Sequence, residues 1–130
     1  GGDLLWTVPL SRRVRALASN DRTRRLVSLD FGATGLMSVL DAATGAVRRR
    51  IDVGTSILRL AALRGTPIVA IAGQDLALRL YDVERGSVIE TLAWHRAPAG
   101  GLAWAGRVLV SGDMEGKVTL WDLGERLAAP

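Results

Sequence analysis

The chain has 130 residues, enough for one ordinary domain, and its 48% hydrophobic content is ample for a core. Seventeen basic residues against thirteen acidic leave a net charge of +4, scattered in ones, twos and threes rather than in the clustered stripe of a nucleic-acid groove. With no cysteine and one histidine it can build no disulfide, thiol nucleophile, cysteine-type zinc site or multi-histidine metal site, and no apolar run approaches the ~20 residues of a membrane helix.

The chain opens on GGDLLWTVPL, which has neither a basic lead-in nor a small-residue cleavage pattern and does not read as a signal peptide. It lacks an initiator Met, which points to a fragment or a processed piece of a longer protein. Residues 4–10 (LLWTVPL) have strand character, and a weak amphipathic, helix-like period follows over 11–19. LVSL (26–29), IVAIA (68–72) and VLVS (108–111) are short apolar runs bounded by Gly, Asp, Asn or Thr-Pro. VIETL (88–92) and KVTLW (117–121) alternate more clearly. All of these are strand signals, and they predict an all-β chain.

Spacing predicts the architecture. Asp41, Asp82 and Asp122 lie 41 and 40 residues apart, and each follows a large apolar residue: Leu40, Tyr81 and Trp121. A small-residue turn comes soon after each, at ATG (43–45), ERG (84–86) and LG (123–124). AVRRRIDV and SVIETLAW then follow the first two turns as further strands. A period near ~40 to 45 residues with a terminal Trp-Asp is the signature of a four-stranded propeller blade.

In these residues the chain resembles the WD-repeat family. The resemblance implies a single partial β-propeller over 1–130, with units at about 2–42, 45–83 and 86–123 and a short tail at 124–130. Gly2, Gly45 and Gly86 open the units, and each unit would run from an outer strand to the inner, second and third strands. Segments 4–10, 46–53 and 87–94 would be the outer strands. The third unit matches best. It implies a structural hydrogen-bond network of His95, Ser111, Glu115 and Trp121, with Glu115 where the family has Asp and Trp94 where Gly normally precedes the His. Leu10 and Val53 hold the His position in the other units, whose blades must stand by packing alone. A full ring has about 4 to 8 blades, so three units leave open flanks. Either the native chain is longer, or copies assemble as a homo-oligomer, two copies giving about six blades.

Several residues carry a chemical reading beside a plainer one. His95 and Ser111 could be base and nucleophile, but VSGD puts Gly on one side only of the Ser and no helix follows, so a structural hydrogen bond is preferred. Asp75, Asp113 and Glu115 sit in turns. No calcium-loop pattern surrounds them, and Asp ordinarily serves to cap turn amides. Arg48, Arg49 and Arg50 alternate across a strand and cannot form one patch. Arg12, Arg13 and Arg96 fall in loops joining outer to inner strands, on the face shared with the turns holding Asp75 and Asp113. That mixed-sign face suits a protein partner. Trp6, Trp94, Trp104 and Trp121 read as packing between blades rather than as ligand stacking.

A second resemblance runs to quinoprotein-like propellers, enzymes or assembly scaffolds, through LDAATGAVRR (40–49) and GGDLLWTVPL. Arg stands after Gly45 where that pattern has Trp, and Trp121-Asp122 with His95 favours the WD-repeat. The expectation is a non-catalytic propeller module, without cofactor or metal, that acts as a protein–protein scaffold or sensor. Such repeats often sit behind regulatory or ATPase domains, and no phosphate loop is present in this stretch. Its expected partners are other proteins or other domains of its own chain, with no nucleic acid and no membrane. Its expected location is the cytoplasm.

Overall fold

The three Asp residues that set the repeat each end the third strand of an antiparallel sheet. A computed structural model describes residues 2, 4–9, 14–20, 25–30, 35–92 and 96–124. The first sheet runs in the order β1 (Val14–Asn20), β2 (Arg25–Asp30), β3 (Leu36–Asp41), β4 (Val47–Asp52). The second runs β5 (Ile57–Ala62), β6 (Ile68–Gly73), β7 (Leu78–Asp82), β8 (Ser87–Leu92). Among the described residues the third has three strands, β9 (Ala99–Ala105), β10 (Val108–Asp113) and β11 (Val118–Asp122). β1 lies against β5, and β5 against β9, so the first strands of the three sheets stand side by side as the inner strands of adjacent blades.

Asp works at these strand ends as a turn former. Asp41 Oδ1 accepts from the amides of Ala43 at 2.8 Å and Thr44 at 3.3 Å. Asp82 Oδ1 accepts from Glu84 at 3.0 Å and Arg85 at 3.1 Å, and Asp122 Oδ1 from Gly124 at 3.2 Å. A carboxylate that takes up amides two and three residues on replaces the ladder bonds lost where the strand ends.

The core divides by the two-residue period of the strands. β6, the second strand of the middle blade, is buried along its whole length. Val69 and Ile71 join Met37, Val39, Ile51, Ile57 and Tyr81 between the first two blades. Ile68, Ala70 and Ala72 join Leu78, Leu80, Leu92, Leu109 and Leu123 between the second and third. A strand covered on both faces has no polar alternate positions, which is why IVAIA reads as an unbroken apolar run. Full burial of a side chain such as Leu109 contributes about 1.5–3 kcal/mol.

Two local expectations are corrected. Of the helix-like period over 11–19, the described part is no helix: Val14–Asn20 is a strand paired antiparallel with β2, with an irregularity between Val14 and Ala16. The long-range ladder outweighs a weak local pattern. Of the expected outer strand 4–10, residues 4–9 carry no strand. A strand needs a neighbouring ladder, and each described sheet is built from other segments.

Candidate functional site

Loops and turns gather at one end of the blades. The Gln74 amide donates to Ser56 O at 2.8 Å, tying the β6–β7 turn to the loop before β5. The Met114 amide donates to Pro98 O at 3.1 Å, tying the β10–β11 turn to the loop before β9. Asp75, Arg96 and Asp113 stand at this end, with Asp75 and Arg96 exposed. Arg12, Arg13 and His95 lie outside the described residues.

Asp75 is engaged within its own blade. Its Oδ1 and Oδ2 accept from Arg79 Nη1 and Nη2 at 3.1 and 2.5 Å. The hydrogen-bonded Arg79 guanidinium holds the Asp75 carboxyl below the ordinary aspartate range, against a smaller opposing effect of burial. Asp113 Oδ1 accepts from the amides of Glu115 at 2.9 Å and Lys117 at 3.0 Å. Glu115 thus enters the turn through its backbone, while its side chain is exposed. Among the described residues no group of three or more His, Asp or Glu could hold a metal ion.

Ser111 is fully buried on β10, and its Oγ accepts from Trp121 Nε1 at 3.1 Å. The bond runs diagonally across the ladder, since Ser111 faces Thr119 in register and Trp121 faces Leu109. This geometry stiffens the blade and withdraws the hydroxyl from solvent.

Other aromatic and arginine side chains reach across to backbone carbonyls of neighbouring segments. Trp6 donates from Nε1 to Ala42 O at 2.9 Å and lies on Gly45, where an added Cβ would come within 2.5 Å of the ring. Arg49 takes a comparable place one blade on, donating to Glu84 O at 2.9 Å over Gly86. Trp104 of β9 donates to Ala61 O of β5 at 3.1 Å. Trp104 also lines a cleft of about 500 Å³ with Arg64 and Arg107, at the end of the blades away from Asp75. The sequence reading missed this grouping. Each Arg looks isolated in the chain, and the one available signal was an Arg in corresponding turns of successive units.

No family model matches the chain. It is 29% identical over 112 residues to the U3 small nucleolar RNA-associated protein 21 homolog of Schizosaccharomyces pombe, covering 85% of this chain and 12% of that protein. It also superposes on a solved structure of U3-55K with a TM-score of 0.77 at 23% identity, covering 89% of this chain and 36% of that one. The chain therefore spans a small part of the proteins it matches.

Two expectations are overturned by these similarities. An expected absence of nucleic acid does not stand beside a relative associated by name with a small nucleolar RNA. The fold also brings Arg64 and Arg107, scattered in the sequence, to one cleft through adjacent turns. The cytoplasmic expectation falls too, since the relative's name ties it to an RNA of the nucleolus. In its strand order and its structural likeness, the chain has an all-β, partial β-propeller fold, with three antiparallel sheets among the described residues.

Proposed function

We propose that this stretch is a non-catalytic scaffold module that holds other proteins, or other domains of its own chain, within an RNA-associated assembly. The observation that carries the reading is the cross-tied end of the blades. Backbone bonds from Gln74 to Ser56 and from Met114 to Pro98 fix the loops on rigid sheets, and exposed Arg96 is presented from there. Loops held on a rigid scaffold are where binding usually resides. Burial of Ser111 and its bond to Trp121 argue against a hydrolase, whose nucleophile must reach substrate.

The test is Arg96→Glu combined with Arg12→Glu and Arg13→Glu in the protein purified with its assembly. Quantitative mass spectrometry should show loss of co-purifying proteins by about tenfold, as charge reversal at an interface centre would give, with thermal stability kept. Unchanged co-purification would refute this face as the docking surface.

A further inference from the structure

The cleft at the opposite end is built from two neighbouring blades. β5 runs into the turn 63–67, and β9 into the turn at Gly106 and Arg107, and the space between them measures about 500 Å³. That is room for one nucleotide-sized group, within the ~300–1,000 Å³ of ordinary ligand sites. Among the described residues no acidic side chain lines it.

The groups around it differ in what they can offer. Trp104 packs partly against the core cluster that holds Leu63 and Leu109, and its N–H is committed to Ala61 O at 3.1 Å. What it presents to a ligand is therefore ring surface, in a fixed orientation. Thr66 Oγ1 donates to Leu63 O at 2.9 Å and accepts from the Ile68 amide at 3.1 Å, so it shapes the turn and reads nothing. Arg64 and Arg107 are exposed, and a guanidinium carries five N–H donors. A planar guanidinium matches phosphate oxygens in a two-point fork.

An oriented indole surface and two guanidinium groups lining one cleft are the chemistry of single-stranded nucleic acid. Bases stack on aromatic rings without regard to sequence, and arginines track the backbone on either side. An acidic peptide would use the arginines and leave the ring without a counterpart. We propose that the cleft between the β5–β6 and β9–β10 turns is a contact site for single-stranded RNA, with one base on Trp104 and flanking phosphates on Arg64 and Arg107. The choice of RNA over other polyanions rests on the scaffold reading above, while the cleft itself stands on its geometry.

The experiment is fluorescence anisotropy of the full-length protein with a labelled single-stranded RNA of about ten nucleotides, over a salt series. Arg64→Gln with Arg107→Gln should weaken binding tenfold or more and reduce the logarithmic salt slope by about 1.4, ~0.7 for each phosphate left without its arginine. Trp104→Leu should weaken binding by about fivefold or more while the slope is unchanged. Circular dichroism melting checks that variant's fold, and the exposed arginine pair keeps the test decisive if Trp104→Leu unfolds. Arg96→Gln, at the other end, should bind RNA as the parent does. Parent protein that binds no RNA, arginine variants that bind like the parent, or equal competition by an acidic peptide would each overturn the proposal. RNA binding lost with the cleft arginines while Arg96 variants keep their protein partners would sink the scaffold face and leave the cleft standing. The reverse pattern would sink the cleft alone.

Discussion

Trp121 on β11 donates its indole N–H to the Oγ of Ser111 on β10 at 3.1 Å, and Ser111 is fully buried. Removing either partner breaks this bond, at a fully buried Ser111 and a half-buried Trp121. Ser111→Ala should therefore cost about 1–2 kcal/mol in urea unfolding, and Trp121→Phe should cost more because packing is lost too. The double variant should cost less than the two singles together, the mark of a direct pair. Ser38 provides the contrast. It is as buried as Ser111, but its Oγ has no hydrogen-bond partner among the described residues. Ser38→Ala should be neutral or stabilise by up to about 1 kcal/mol. Equal losses at the two serines would contradict this account.

Gly45 is held in the left-handed region at φ +78° beneath the Trp6 ring, and Gly65 has the same φ with open space around it. An alanine at either position meets backbone strain of about 1–2 kcal/mol. Only at Gly45 does the new methyl group also strike the indole. Gly45→Ala should lower the melting temperature clearly more than Gly65→Ala, and a Trp6→Ala background should shrink the difference. Identical shifts in both backgrounds would remove Trp6 from the turn.

The Asp75–Arg79 pair sets a pH dependence of known sign. The folded-state pKa of Asp75 is lowered, so its contribution is present above the unfolded pKa and is lost as pH falls through the folded one. The pair is partly exposed, which limits its worth to about 1 kcal/mol or less. Asp75→Asn should be slightly less stable than the parent at pH 7, and the two should converge as pH drops below about 4. A gap that widens toward acid would contradict the pairing.

One face of the third sheet is apolar and open. Val118 and Leu120 on β11 are 68% and 66% exposed, and Val110 and Ala103 share the Leu120 register position across the sheet. Such a face favours association. Leu120→Lys with Val118→Thr should reduce self-association in light scattering at high protein concentration and leave the melting temperature nearly unchanged. Equal association in parent and variant would place the sticky surface elsewhere.

Much of this architecture was legible in the chain. The spacing of Asp41, Asp82 and Asp122 marks the third-strand ends because each blade repeats one four-strand circuit of similar length. Ile68–Ala72 reads as an unbroken apolar strand because its neighbours on either side are blades. Less legible was the start of the chain. Residues 11–19 carry a weak helical pattern that pairing with β2 overrides from Val14 on, and Leu4–Pro9 carry strand character without a ladder to join.

From the sequence by itself come the blades, their order and the turn after each third strand. These depend on residue period and on bonds between near neighbours. Only the tertiary structure places Trp6 on Gly45, Trp104 against Ala61, and Arg64 beside Arg107 across one cleft. Arg64 and Arg107 lie 43 positions apart in the chain, and what joins them is the packing of one inner strand beside the next. That closeness is a property of how blades stack, and no spacing within a single blade encodes it.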